Sequence, residues 1–223
     1  MENRIRWQDI DTVLLDMDGT LLDLAYDNWF WQLEVPSRYA ERVGKTLEQA
    51  LPEVEAAIRG QEGTLNWYCT DFWSRQLQID IQALKRASRE RIGYRAGAED
   101  FLRALQQSGK RNYLVTNASP DSLAIKAERT GLGQYFDAMH SSHTFGAAKE
   151  HDAFWPSLQQ VIDFDPARTL MVDDSLPVLN SAQRFGIGHI WSIRQPDSSR
   201  PARAHTDPFP AIDGFHEVLP DVG

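Results

Sequence analysis

The sequence predicts an α/β protein with a parallel sheet and a helical segment inserted after the first strand. Two apolar runs, residues 12–15 and 169–172, each end in a pair of acids, which is typical of buried strands that carry polar groups to one sheet edge. The intervening segment 24–94 shows helical periodicity, and strand and helix patterns alternate again after it. We therefore expect a core made of residues 1–23 and 95–223 and a helical insert between them.

The first apolar run places two acids, Asp16 and Asp18, one residue apart. Because side chains alternate along a strand, Asp16 is expected to enter a site at the carboxyl end while Met17 packs away from it. Carboxylate oxygens at this edge of an α/β sheet suit Mg²⁺ and indicate phosphate chemistry. Asp and Gly are also common turn residues, so a purely structural role stays open for this stretch alone.

The composition is that of a globular chain with a sizeable core. Of 223 residues, 42% are hydrophobic, which suits one large domain or a domain with an insert. The net charge of −9 argues against a nonspecific surface for nucleic acid, and a single cysteine, Cys69, excludes an intrachain disulfide. Residues 1–10 lack the apolar core of a signal peptide and no later stretch approaches a membrane span, so we expect a cytoplasmic protein without a membrane partner.

The insert is expected to form a small helical bundle. Thr46 and Gln49 make a capping-box pattern at the start of one helix, and further helices are predicted at residues 28–33, 65–77 and 80–92. Its aromatic residues are expected to form mainly the bundle core, although any of them could stack on a base. They are Tyr26, Trp29, Phe30, Trp31, Trp67, Tyr68, Phe72 and Trp73.

A second pair of polar residues, Thr116 and Asn117, follows the strand predicted at residues 111–115. The pair precedes a helix that runs from Pro120 to Gly131. A hydroxyl, an amide and free backbone N–H groups at such a place can hold a phosphate oxygen, although a simple cap is the alternative.

Two further candidate site regions lie in the second half of the chain. Lys149 precedes a helix whose apolar face is predicted to run from Phe154 to Ile162, and a local anion would explain a lysine there. Asp173 and Asp174 end the strand at residues 169–172, which indicates divalent metal coordination shared with the first acids. A last strand is predicted at residues 187–193, and the loop at 196–210 could be ordered or mobile.

Together these four groups of residues resemble the motifs of the haloacid dehalogenase (HAD) superfamily. Members of this superfamily mostly transfer a phosphoryl group to an aspartate and then to water. Residues 16–20 match its DxDGT signature in full. The resemblance, with these motifs in the same order, implies a Rossmann-like parallel-sheet core with a C1 helical cap. The stretches LLDMDGTLLDLAYDN, TLNWYCTDFWSRQL and SHTFGAAKE further resemble bacterial HAD-type GMP/IMP 5′-nucleotidases. In one departure, Lys149 is followed by Glu150 and His151, where many relatives have a proline.

This resemblance implies catalytic roles. Asp16 would be the nucleophile that forms an aspartyl-phosphate, and Asp18 would protonate the leaving group and then deprotonate water. Lys149 and Thr116, together with the Asn117 amide, would hold the oxygens of the transferred group.

The resemblance also implies one Mg²⁺ cofactor. The ion would take oxygens from Asp16, the Asp18 backbone carbonyl and Asp173. Asp174 and Ser175 would orient it from behind.

The expected partner is a small phosphorylated metabolite, and the resemblance favours the purine nucleoside 5′-monophosphates GMP and IMP. Asn28, Asn66 and Arg75 are the polar candidates for binding the base. A phosphatase for small sugar phosphates or phosphoglycolate and a β-phosphoglucomutase-like phosphomutase stay open as alternatives. A noncatalytic binding protein is disfavoured because all of the family's motif residues are present. A dehalogenase is disfavoured because it would lack the acids found here at Asp18 and Asp173. The chain is expected to be a monomer or a small homo-oligomer.

Overall fold

The computed structural model describes residues 4–220 and contains a six-stranded parallel sheet. The ends of the predicted core, residues 1–3 and 221–223, lie outside the described residues. The strands are β1 (Thr12–Leu15), β2 (Arg111–Thr116), β3 (Ala138–Ser141), β4 (Thr169–Val172), β5 (His189–Ile193) and β6 (Ala211–Ile212). Their order across the sheet is β3-β2-β1-β4-β5-β6, so β1 lies in the interior. The predicted parallel α/β core is confirmed.

The register of β1 fixes the level at which the acids leave the sheet. Leu15 is aligned with Leu114 of β2 and with Val172 of β4, and all of β1 is buried. Asp16 and Asp173 therefore follow two neighbouring strands at the same height. Parallel strands expose this carboxyl edge to ligands, so the sheet alone brings the two carboxylates together.

Two edge strands, β3 and β6, are not apparent in the sequence pattern. β3 is short, and its first three residues are only half-buried. The strand predicted at residues 187–193 is present as β5, but it is not the last strand, because Ala211 and Ile212 pair with it. The loop at 196–210 is held on both sides, since Asn28 donates to Asp197 at 2.6 Å and Arg203 donates to the Asp174 carbonyl.

The insert is helical as predicted. Thr46 and Gln49 form the predicted capping box, with the Thr46 hydroxyl 3.3 Å from the Gln49 N–H and the Gln49 side-chain oxygen 3.1 Å from the Thr46 N–H. Its helices are α1 (Ala25–Trp29), α2 (Val35–Val43), α3 (Leu47–Arg59), α4 (Leu65–Tyr68), α5 (Thr70–Leu77) and α6 (Ile81–Ala87).

The first helical run is longer than the helix predicted at residues 28–33. A π turn at Phe30–Glu34 joins α1 to α2, so the run covers residues 25–43. Pro36 lies just after the π turn and has no N–H to donate to the preceding turn, which accounts for the local widening of the helix.

Two other cap helices are shorter than predicted. The helix expected at residues 65–77 is divided at Cys69, whose extended backbone ends α4. The Cys69 Sγ accepts a hydrogen bond from the Phe72 N–H at 3.4 Å and so begins α5. The helix expected at residues 80–92 ends at Ala87 and is followed by a 3-10 turn.

The core helices cover both faces of the sheet. They are α7 (Ala98–Gln107), α8 (Pro120–Thr130), α9 (Phe154–Gln159) and α10 (Leu176–Phe185). The helix face predicted to run from Phe154 to Ile162 is shorter in the structure, because the chain turns after Gln159. This turn leaves Val161 60% exposed while Ile162 and Phe164 enter the core.

Alternate residues of β1 pack on opposite faces of the sheet. Val13 and Leu15 belong to an apolar cluster that also contains Met17 and, from the insert, Phe30. Leu14 belongs to a second cluster with apolar residues of α9 and α10. The two ends of the insert meet, since Asp23 N–H donates to the Gly93 carbonyl at 3.0 Å. Among residues 4–220, the helices are all too short or too polar to cross a membrane.

Candidate active site

Three carboxylates come together at the carboxyl edge of β1 and β4. Asp16, Asp173 and Asp174 each offer an oxygen within 4.8 Å of the others. Asp16 and Asp173 are buried, and the Asp16 N–H donates to the Val172 carbonyl at 3.0 Å, which fixes the backbone that carries the first carboxylate. The two strand-end pairs predicted from the sequence therefore converge.

Lys149 lies between two of these acids. Its Nζ is 2.6 Å from Asp16 Oδ1, 2.7 Å from Asp173 Oδ2 and 2.9 Å from the Val115 carbonyl. Burial by itself lowers the pKa of this lysine, but the two carboxylates outweigh burial and raise the pKa above its usual value. Lys149 thus provides a permanent positive charge beside Asp16.

The remaining negative charge fits a bound cation. Burial raises the pKa of Asp16 to about 6 even though Lys149 opposes the shift, and burial together with Asp173 raises the pKa of Asp174 well above its usual value. Asp16 Oδ2 is buried and has no hydrogen-bond partner among the described residues. Hard carboxylate oxygens at this spacing suit Mg²⁺. Asp174 thus lies in the carboxylate cluster itself rather than only behind it.

Neighbouring residues hold the acids of this cluster in place. The Ser175 N–H donates to Asp173 Oδ1 at 2.8 Å, which fits the orienting role expected of Ser175. Arg203 lies 3.4 Å from Asp174 Oδ2 and also donates to the Asp174 carbonyl. Gly19 has a φ of +85°, and a Cβ there would lie 2.7 Å from the Asp174 Cγ, so only glycine fits this turn.

Asp18 lies in a buried network of alternating charges that the sequence did not predict. Lys126 Nζ is 2.6 Å from Asp18 Oδ1 and 2.7 Å from Asp27 Oδ2, and Lys85 Nζ is 3.2 Å from Asp27 Oδ1. Burial raises the pKa of Asp18 to about 6 although Lys126 opposes the shift. The network connects the second acid of the signature to α1 and α6 of the cap. The available signal was that Lys126 follows Leu123 by three residues, on the buried face of α8.

Thr116 and Asn117 lie at the end of β2. The Thr116 hydroxyl oxygen accepts from the Ala118 N–H at 3.0 Å and keeps its own hydrogen for a ligand oxygen. The Asn117 side chain accepts from the Lys149 N–H at 2.9 Å and donates to Glu150 at 2.8 Å. Its amide therefore positions the Lys149 loop and keeps a second N–H that could donate to a ligand oxygen.

The two residues after Lys149 contact the cap. Glu150 lies 3.3 Å from the Tyr68 hydroxyl, which donates to it, and a ring nitrogen of His151 lies 2.7 Å from the Gly63 carbonyl. The departure from the family pattern at Glu150 and His151 therefore connects the lysine loop to the helical insert.

A cavity of about 590 Å³ lies between the carboxylate cluster and the cap. Its volume is within the range of small-molecule sites. Asn28 lines it. Asn66, which bonds to Gln61, and Arg75, which is exposed on α5, lie outside this cavity, as solvated surface residues would. The cap contributes four aromatic residues to its wall, which are Trp31, Trp67, Tyr68 and Trp73.

Comparison with known proteins identifies similar sequences and folds. A family model described as haloacid dehalogenase-like hydrolase matches residues 10–186. The GMP/IMP nucleotidase YrfG of Escherichia coli strain K12 is 41% identical over 222 residues, which cover 100% of both chains. A phosphoglycolate phosphatase of Nitrosococcus oceani is 25% identical and covers 84% of this chain and 91% of its own. The crystal structure of a HAD phosphatase from Thermococcus onnurineus has a TM-score of 0.74 at 21% identity, covering 93% and 95% of the two chains.

Proposed function

Because the chain belongs to the haloacid dehalogenase-like hydrolase family, we propose that it is a Mg²⁺-dependent phosphatase that hydrolyses purine nucleoside 5′-monophosphates, GMP and IMP in particular. The predicted resemblance to this superfamily is confirmed. The observation that carries the proposal is the position of Asp16, which lies against Lys149 in a cavity whose other wall is aromatic. Cytoplasmic location and oligomeric state stay predictions.

In the first step, a carboxylate oxygen of Asp16 attacks the phosphorus of the ester. The bond from phosphorus to the nucleoside 5′-oxygen breaks, and the carboxyl group of Asp18 donates its proton to that oxygen, so the nucleoside leaves as a neutral alcohol. The product on the enzyme is an aspartyl-phosphate at Asp16. Asp18 lines the same cavity, two residues along the chain from the nucleophile.

In the second step, a water molecule attacks the phosphorus of the aspartyl-phosphate. Asp18, now ionised, accepts a proton from the water, and the bond between phosphorus and the Asp16 oxygen breaks. Inorganic phosphate leaves, and both carboxyl groups return to their starting states. Dividing the hydrolysis in this way replaces attack of water on an unreactive ester by attack on a reactive acyl phosphate.

Charge on the transferred group is neutralised from several sides. Lys149 places its ammonium beside the attacking oxygen, and Thr116 has a hydrogen to donate to a phosphoryl oxygen. Asp16, Asp173 and Asp174, with the Asp18 carbonyl, would hold Mg²⁺. When bound, this ion polarises the phosphoryl oxygens and orients the group for in-line displacement.

Phosphate release from a panel of esters tests this function. With Mg²⁺ present, we expect kcat/KM for GMP and IMP to exceed that for UMP, glucose 6-phosphate and 2-phosphoglycolate by about tenfold, the scale of aromatic stacking on a base. Equal values, or a preference for the sugar phosphate, would refute the nucleotidase assignment and leave the phosphatase chemistry in place. Turnover without added sugar bisphosphate excludes the phosphomutase alternative.

A further inference from the structure

The end of α3 and the turn after it add unpaired charges to the cavity wall. Glu55 and Arg59 lie four residues apart on one face of α3, Glu62 follows in the turn after the helix, and all three line the cavity. Within residues 4–220, their side chains form neither hydrogen bonds nor ion pairs with the protein. The charged residues elsewhere in the wall are all ion-paired, from Lys149 with Asp16 to Arg203 with Asp174. The cap face therefore offers donors and acceptors that the protein itself does not satisfy.

Flat apolar surface also lines this cavity. Trp31 and Trp67 line it and are partly buried. Trp31 packs edge-on against Phe30 and Trp73, with ring centroids 5.3 and 6.0 Å apart, and Trp73 Nε1 donates to the Trp67 carbonyl at 2.9 Å. The ring contacts hold the Trp31 indole in place, so it can stack on a base without being ordered by it, and the hydrogen bond fixes the backbone that carries Trp67.

The charges of Glu55, Arg59 and Glu62 match one class of purine. Guanine and hypoxanthine present an oxygen at C6 and N7 as acceptors and an N1–H as a donor, and guanine adds a 2-amino donor. Arginine donates in a fork to O6 and N7, and a carboxylate accepts from N–H groups. Adenine reverses the pattern, because its C6 amino group is a donor and its N1 an acceptor.

Resting on the proposed nucleotidase function, we propose that Arg59 binds O6 and N7 of a 6-oxopurine while a flanking glutamate, Glu55 or Glu62, accepts the N1–H. The cap thereby selects GMP and IMP over AMP. Neither glutamate belongs to the carboxylate cluster at the carboxyl edge of the sheet, where the phosphoryl chemistry takes place.

The test compares Arg59→Gln with Arg75→Gln, an exposed cap arginine outside the cavity, on GMP, IMP, AMP and ribose 5-phosphate. Ribose 5-phosphate keeps the sugar and the phosphate but has no base. We expect Arg59→Gln to lower kcat/KM for GMP and IMP by about 10-fold to 100-fold and to leave ribose 5-phosphate unchanged. The value for AMP should not fall, because glutamine can donate to N7 and accept from the amino group of adenine, so the preference over AMP is lost. Arg75→Gln should behave like the parent protein. Glu55→Gln and Glu62→Gln, with Glu48→Gln as the matched control on α3, identify the acceptor of the N1–H.

The possible failures are distinguishable. If the unaltered protein hydrolyses ribose 5-phosphate as well as GMP, the proposed function fails, and this inference fails with it. If the unaltered protein prefers GMP but Arg59→Gln keeps that preference, only the inference is overturned. An equal loss on all four substrates would also overturn it, because a residue that binds the base does not affect a substrate without one.

Discussion

Lys126→Met removes the buried ammonium that lies between Asp18 of the core and Asp27 of the cap. Methionine keeps most of the length and the apolar stem, so the change is mainly one of charge. The Lys126 side chain is 2% exposed, and it is 2.6 and 2.7 Å from the two carboxylates. Removing one partner of a buried ion pair costs about 3 to 5 kcal/mol, because the other charge is left without compensation.

The structure places the expected loss at the lower end of that range. Asp18 and Asp27 keep 21% and 17% of their side-chain exposure, and Lys85 still pairs with Asp27. We therefore expect the free energy of unfolding to fall by about 3 kcal/mol at neutral pH. Urea unfolding followed by tryptophan fluorescence measures this difference, provided that the m-value is unchanged.

The matched control is Lys45→Met, which removes an exposed ion pair with Glu53. Both side chains of this pair are at least 40% exposed, so solvent screens the interaction and we expect little change in stability. Adding Asp18→Asn to Lys126→Met should recover part of the lost stability, since it removes the carboxylate whose ion pair is with Lys126, while Lys85 keeps its pair with Asp27. A Lys126→Met protein that loses no more stability than the control would show that the network does not hold the cap to the core.

Two further predictions concern the chemistry. Asp18→Asn should keep the fold and lower kcat by about 100-fold to 10,000-fold, because proton transfer is lost while the nucleophile remains; a nearly unchanged rate in steady-state assays would remove Asp18 from the mechanism. Asp173→Ala should weaken Mg²⁺ binding more than Asp174→Ala, because Asp173 is the more buried carboxylate and directly follows β4. Titration of activity and of heat with Mg²⁺ measures both affinities, and a larger loss at Asp174 would reverse the two roles.

The acids could be predicted from the sequence because their signal is local. Asp16 and Asp173 each follow a short apolar run, and parallel pairing of such runs brings their ends together without further information. Lys149 was different, since nothing near it in the sequence indicates that its ammonium reaches Asp16, 133 positions away. Only the family resemblance assigned that lysine.

The charged network and the cap wall could not be predicted. The contact between Lys126 and Asp27 spans 99 positions and exists only once the cap has docked on the core. In the sequence, Lys126 is one more charge on an amphipathic helix, and Arg59 with its flanking glutamates has the pattern of a solvated face. Helix ends at Cys69 and Gln159 depend on a side-chain cap and on packing of the following residues, which periodicity does not record.

The most direct test of the central claim is identification of the residue that carries the phosphoryl group. The protein is quenched in acid during turnover of GMP with Mg²⁺, the acyl phosphate is reduced with borohydride to homoserine, and the peptides are analysed by mass spectrometry. We predict homoserine in place of Asp16, and none in a folded Asp16→Asn protein, which should release no phosphate above the blank. Homoserine at Asp18 or Asp173 instead, or steady phosphate release by Asp16→Asn, would contradict the account.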